Sequence, residues 1–568
     1  MKKFFISALF LSGFLGLAQS TTKALDPMKD KDLMTWYHKD FATTHVYGVN
    51  TQNAYKFLNS KGLKPQTVVV AVLDSGVQID HPAIKNNIWT NPNEVPGNGK
   101  DDDKNGYIDD VHGWDFIGGK NGEVSADNLE ITRVVRQYKD VFEGPDTAKN
   151  KENQAKMPED FAMYMKSKDL YIKNGLEAKQ QYENYKRINS LIPSIVKLLN
   201  GKNLTPENVA AVKPATQEEA MGANILSNIS KDPAVAGKSS EEVQKYLEDQ
   251  MKQALDYYEP QATKQYNLDF DPRSIVGDDY SNINEKYYGN NHYEGPDALH
   301  GTHVSGIIAG QPNGNEIQYG VASKVAKIMV IRAVPDGDER DKDIANGIYY
   351  AVNNGAKIVN MSFGKAVSPG KEKVWEAFKY AQDKGVLLVH AAGNDNEDLE
   401  KSDNFPTNFK KITDPLAFLN NVITVGASTN DNAHLRADFS NYNRKMVDVF
   451  APGKDIYSSV AGNKYQYLAG TSMATPVVAG SAAILLAYMP NLTPAQIIES
   501  FEKTVNKSTV NAEIKDAPEE TFDKISVSGG VIDVYKAAVY AYGHFYNKIQ
   551  VKMSDKNKLM KRKMKIKK

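Results

Sequence analysis

The stretch "TVVVAVLDSG", residues 67–76, decides how the fold is read. Residues 67–73 are apolar or β-branched without interruption, and the run stops at Asp74-Ser75-Gly76. A strand buried on one face alternates polar and apolar residues. An unbroken run belongs to a central strand of a parallel sheet, covered on both faces. Comparable runs recur at 325–331 "VAKIMVI", 356–361 "AKIVNM", 386–390 "VLLVH" and 422–426 "VITVG". Amphipathic segments separate several of them, such as 341–354 "DKDIANGIYYAVNN" and 371–384 "KEKVWEAFKYAQDK". Strands alternating with helices predict an α/β domain with a mostly parallel central sheet.

The chain has 568 residues, 41% of them hydrophobic and 24% charged, which suits a globular protein with a real core. Its net charge of −1 carries no electrostatic footprint for nucleic acid. It has no cysteine, which excludes disulfides, thiol catalysis and thiolate-bound metals. Residues 1–20, "MKKFFISALFLSGFLGLAQS", combine two lysines, an apolar stretch and small residues at Ala18 and Ser20. This pattern predicts a cleaved signal peptide and an exported protein, secreted or at the periplasm or cell surface. The apolar run falls short of the ~20 residues that span a bilayer, and no transmembrane segment is expected later in the chain.

Residues 127–265 differ in character, being rich in Lys, Glu, Gln and Tyr with few β-branched runs. They predict a mainly helical insertion, with a capping box from Ser239 to Glu242 opening one helix. The insertion divides the α/β domain into 21–126 and 266–545. It could serve as a lid, a partner-binding arm or a solvated decoration. A basic tail, 546–568, ends the chain; its last 20 residues hold nine Lys or Arg and one Asp. Such a tail either contacts an anionic surface or stays solvated.

Three short motifs carry chemistry. Asp74 stands at the carboxyl end of a buried strand, where reactive groups gather in open parallel sheets. A carboxylate there needs a partner. In "HGTHVSGIIAG", 300–310, two histidines flank a Gly-Thr pair. No nearby Glu, Cys or third His completes a metal site, so one of the two is better read as a general base. In "GTSMATPVVAG", 470–480, a helix starts near Ser472, with Pro476 placed in its first turn where no N–H is needed. A serine at a helix N-terminus sits where developing negative charge is favoured. "VLLVHAAGNDN", 386–396, ends a strand in small residues and Asn394, whose amide could donate to an oxyanion.

In family order, "AVLDSGVQIDHP", "HGTHVSGIIAG", "IVNMSFG", "VHAAGND", "FSNY…VDVFAPG" and "GTSMATPVVAG" resemble the subtilisin-like serine proteases, over about 45–125 and 266–545. The resemblance implies a three-layer fold and a serine endopeptidase acting on polypeptides through an acyl-enzyme, with no catalytic cofactor. It implies Asp74 as the residue orienting the base, His300 as base, Ser472 as nucleophile and Asn394 as oxyanion donor, and leaves His303 to structure. It implies Ser362, Phe363 and Gly364 with Ala391, Ala392 and Gly393 as the two walls of a specificity pocket. A related acid peptidase would carry Asp in place of Asn394, and a non-catalytic binding protein would not need the complete triad.

The chain departs from the family in two ways that bear on cations and substrates. His81-Pro82 is followed by Ala83 where many members carry a calcium-binding Asp, so that site is not carried over. The loop "DDDKNGYIDD", 101–110, offers another, with Asp101, Asp103, Asn105, the carbonyl of Tyr107 and Asp110 as ligands. Bound structural calcium and a solvated acidic loop both fit the sequence. In "PDGDERDKD", 335–343, Asp336, Asp338 and Glu339 could favour basic substrate side chains or form a solvated turn.

Overall fold

The structure, a computed structural model, describes residues 27–547; the signal-peptide segment and nearly all of the basic tail lie outside them. The chain divides into two compact units. One comprises the residues through Ser125, Arg273–Val334 and those from Glu339 onward; the other comprises Ala126–Pro272 with Pro335–Asp338.

The first unit is built on a nine-stranded sheet. Its strands lie side by side in the order Asn506–Lys507, Gly530–Val531, Val449–Pro452, Val422–Ser428, Leu387–Ala391, Ile358–Met361, Val68–Asp74, Ala326–Arg332, Gly113–Asp115. All neighbours pair in parallel except the first two. Val68–Asp74 is central, with Val70, Ala71, Val72 and Leu73 all fully buried. Successive side chains of a strand point to opposite faces. Val68, Val70 and Val72 therefore join one core, with Val304 and Ile307 of the helix Leu299–Ala309 and Val477 and Val478 of the helix Thr471–Tyr488. Ala71 and Leu73 join the other, with Ile344 and Ile348 of Asp341–Asn353 and Val374 and Phe378 of Lys371–Asp383. Each fully buried Val or Leu contributes roughly 1.5–3 kcal/mol. The result is the three-layer α/β architecture, and the unbroken run at 67–73 exists because the strand has no solvent face. Trp36, Tyr37, Tyr55 and Leu58 also fill the first core, so these early residues belong to the folded unit.

Among the described residues one helix, Thr471–Tyr488, is long and apolar enough to cross a membrane, and 94% of its apolar window is buried inside the protein. It is the central core helix.

The second unit is mainly helical, with its own core of Ile192, Ile195, Leu226, Val243 and Leu247. Ser239 caps the helix Ser240–Pro260 with the capping box its sequence predicts. The segment Pro335–Asp338 belongs to this unit through backbone bonds: Asp127 N donates to Asp336 O at 2.9 Å and Asp338 N to Asn128 O at 3.3 Å. Asp338 Oδ2 accepts from Glu130 N at 2.7 Å and Asp336 Oδ1 from Gln265 Nε2 at 2.9 Å. Glu339 is 2% exposed. Of the three carboxylates for which the sequence left a substrate-facing and a solvated reading open, Asp338 accepts a backbone N–H, Glu339 is buried and only Asp336 is exposed.

Candidate active site

Asp74 is the last residue of the central strand and is 2% exposed. Its Oδ1 accepts from the N–H of Ser75 at 2.7 Å and from His300 Nδ1 at 2.7 Å. Because a carboxylate only accepts, His300 carries its proton on Nδ1 and leaves the Nε2 lone pair free. Burial by itself would pull the imidazole's pKa down; the charge and hydrogen bond of Asp74 outweigh it and raise the pKa above the ordinary value. His300 is delivered by the helix Leu299–Ala309, and the glycine after it is a steric requirement. A Cβ on Gly301 would lie 2.1 Å from the carbonyl oxygen of Gly76 and 3.3 Å from Asp74 Cβ. His303 is fully buried, bonds to the carbonyl of Gln466 at 3.1 Å, and is driven by burial to a pKa of about 3. It is a neutral packing residue.

Ser472 is the second residue of the helix Thr471–Tyr488, so its N–H has no intrahelical acceptor. Asn394 Oδ1 accepts from Thr471 N at 2.8 Å and Thr471 Oγ1 at 2.9 Å. A backbone N–H can only donate, which fixes the amide's orientation and leaves Nδ2 as its donor end. Asn394 Nδ2 and Ser472 N both lie 3.6 Å from the point that a Cβ on Gly470 would occupy. Two donors thus flank the Gly470 turn that leads into Ser472, and donors so placed can serve a developing oxyanion. No hydrogen bond joins His300 to Ser472 among the described residues. The Ser472 hydroxyl donates instead to the carbonyl of Ser362 at 2.9 Å.

Pro476 departs from its expected place. Counting from Thr471 it is the sixth helical residue and lies inside the helix, beyond the first turn. The missing N–H therefore matters, and it leaves the carbonyl of Ser472 without its ladder partner. Ser362 Oγ fills that position at 2.9 Å.

Ser362–Gly364 and Ala391–Gly393 follow the adjacent parallel strands Ile358–Met361 and Leu387–Ala391, so they emerge side by side. Asn404, which sequence reasoning missed, lies between them. Its Nδ2 donates to Ala391 O at 3.0 Å, and its Oδ1 lies 2.3 Å from where a Cβ on Gly364 would stand. Asn441 braces the second wall through Ala392 O at 2.9 Å. His390 donates from Nε2 to Phe363 O at 2.9 Å, and burial lowers its pKa to about 4, keeping it neutral. Nothing in the local sequence marks Asn404, because its partners lie on separate loops.

In the acidic loop, carboxylate oxygens of Asp101, Asp103 and Glu94 lie within 4.8 Å of one another. Glu94 is 7% exposed, and its Oε2 is buried with no hydrogen-bond partner. Its Oε1 accepts from the N–H groups of Asp102 and Asp103, which folds it over the loop. Asn105 donates to both Asp103 and Asp110. Tyr107 is a core side chain of the second cluster. Asp110 is fully buried and bonds to Asn91 at 3.1 Å and Tyr350 at 2.6 Å. Burial raises its pKa to about 6, against the opposing effect of these bonds. The cluster the fold assembles thus takes in Glu94, while Asp110 is occupied inside the protein.

The model of the subtilase family matches residues 66–525. The chain belongs to the subtilase family. It is 38% identical over 247 residues to a thermophilic serine proteinase of Bacillus sp. (strain AK1), covering 42% of this chain and 52% of that protein. It is 34% identical over 272 residues to a cell wall-associated protease of Bacillus subtilis (strain 168), covering 48% of this chain and 28% of that protein. Thermitase of Thermoactinomyces vulgaris is 36% identical over 247 residues, covering 42% of this chain and 75% of that protein. The matched part thus spans about half of the first relative's length and less of the second's.

Proposed function

We propose that the protein is an exported serine endopeptidase that cleaves polypeptides through an acyl-enzyme on Ser472. His300 takes the hydroxyl proton and later returns it to the leaving amine, and Asp74 holds the imidazole in the productive tautomer. Asn394 Nδ2 and the Ser472 N–H receive the oxyanion, helped by the positive end of the helix. Residues 362–364 and 391–393 hold the substrate strand by β-augmentation, with Asn404 at the floor of the pocket between them. No cofactor takes part in these steps. Export rests on the leader at 1–20, and contact of the basic tail with an anionic surface rests on its charge. The observations that carry the reading are the 2.7 Å hydrogen bond from His300 Nδ1 to the buried Asp74 carboxylate and the placement of Asn394 Nδ2 and Ser472 N on the same side of Gly470.

Asn394 also supplies the test. Asn394→Ala removes a donor that acts only on the transition state. Its kcat on a chromogenic peptide falls by roughly 10²–10³-fold with KM little changed, as for the equivalent donor in a subtilisin. An unchanged kcat would sink the assignment.

We further propose that Glu94, Asp101 and Asp103 bind a structural calcium ion, with Asn105 and the Tyr107 carbonyl completing an oxygen shell. A hard cation takes six to eight such ligands, and it would satisfy the buried Glu94 oxygen that has no other partner. Calcium at about 100 times Kd stabilises the fold by about 2.7 kcal/mol. Chelator should therefore lower the melting temperature of the wild type by a few degrees and leave the Glu94→Gln/Asp103→Asn variant unmoved. A wild-type melting curve indifferent to chelator and to added calcium would remove the ion.

A further inference from the structure

Pro476 opens a gap in the hydrogen-bond ladder of the helix that carries Ser472. In an α-helix the N–H of residue 476 bonds to the carbonyl of residue 472, and proline has no N–H. The carbonyl left over belongs to Ser472 itself. Ser362 Oγ donates to it at 2.9 Å from 110 positions away in the chain. Ser362 Oγ in turn accepts from Asn360 Nδ2 at 2.9 Å. An amide nitrogen only donates, so the single hydroxyl proton of Ser362 is directed onto Ser472 O. Asn360 is fully buried and Ser362 is 3% exposed, so water does not compete for these bonds. The carbonyl of Ser362 accepts the Ser472 hydroxyl at 2.9 Å, so the two serines hold each other reciprocally.

We propose that Ser362 is a positioning residue for the nucleophile, its hydroxyl standing in for the N–H that Pro476 lacks. The inference rests on the reading of Ser472 as nucleophile. It gives Ser362 a role separate from lining the substrate strand: it fixes the backbone on which Oγ and the oxyanion-binding N–H of Ser472 are both mounted. A proline at 476 and a hydroxyl at 362 then form one device. The proline leaves one ladder bond open, and the serine closes it.

A double-mutant cycle tests this, because a substrate-contact role and a helix-closing role respond oppositely to Pro476. Ser362→Ala lowers kcat by roughly 10–10²-fold, the scale of a small misplacement of a reacting group, with KM changed less than about threefold. Ser362→Thr, which keeps the hydroxyl, restores most of it. Pro476→Ala alone supplies the other corner of the cycle, and its kcat is measured beside the wild type. In the double variant the N–H of residue 476 can take the Ser472 carbonyl, so kcat recovers to within about fivefold of wild type, a strong departure from additivity. Melting curves accompany each variant. If Ser362→Ala fails to fold, the double variant still decides, since it should fold and work. A double variant as slow as Ser362→Ala, or one that does not fold, overturns the inference. An inactive wild type whose Ser472 resists a phosphonate probe overturns the underlying reading instead.

Discussion

Replacing Ser472 by alanine lowers peptide hydrolysis by about 10⁶-fold, the loss established for removal of the nucleophile from a subtilisin. The size of the effect follows from chemistry, since the two neighbouring hydroxyls are engaged elsewhere and cannot replace the nucleophile. Thr471 Oγ1 is committed to Asn394 Oδ1, and Ser362 Oγ to the Ser472 carbonyl. The fold should hardly notice the change. The hydroxyl's one hydrogen bond is to the Ser362 carbonyl, and the helix has no side-chain cap to lose. The melting temperature therefore stays within a few degrees while activity collapses. Residual turnover of about 10³–10⁴ over water remains, supplied by the oxyanion donors and by substrate binding. Steady-state hydrolysis and a melting curve on the same preparation separate the two outcomes. A variant that turns over at the wild-type rate would dismiss the nucleophile.

Most of the sheet was legible in the sequence because its strands are buried on both faces. Burial on both faces writes itself as unbroken runs, and the strands at 326–332, 358–361, 387–391 and 422–428 fall on those runs within a residue or two. The short strands Asn506–Lys507 and Gly530–Val531 left no such mark, since two residues carry no period. Local motifs pointed to Asp74, His300, Ser472 and Asn394 because each combines a chemical group with the small residues needed for close approach. Gly301 shows why: its backbone packs against Gly76 where any side chain would collide. Position within a motif was harder to read. Pro476 lies one residue deeper than a start at Ser472 would put it, beyond the first turn, because the helix starts at Thr471. Partners lying outside the motifs themselves were invisible. Glu94 reaches the acidic loop only because that loop folds back onto it, and Asn404 meets Ala391 and Gly364 through tertiary contacts. The segment Pro335–Asp338 reads as a charged turn, yet it is held by backbone bonds to residues 127 and 128, some two hundred positions earlier.

Asp74→Asn costs about 10⁴-fold in kcat, the figure established for the same change in another serine-protease triad. The reason lies in the direction of one hydrogen bond. Asp74 Oδ1 accepts from His300 Nδ1, which leaves Nε2 able to take a proton from Ser472. An asparagine at 74 can present its amide N–H to Nδ1, and the imidazole proton then moves to Nε2, where it blocks the base. The pH profile carries a second signature of the same group. A general base must be neutral, so kcat/KM falls as pH drops through the pKa of His300. In the wild type burial lowers that pKa, while the charge and hydrogen bond of Asp74 more than offset it, so the net shift is upward. The acid limb of the wild type should therefore lie above the ordinary histidine value of about 6.5. Asparagine removes the charge and leaves the burial, so the limb of the residual activity moves to lower pH. A variant that is slow but keeps the wild-type limb would mean that Asp74 does not set the ionisation of the base, and that its 2.7 Å bond to His300 serves packing alone.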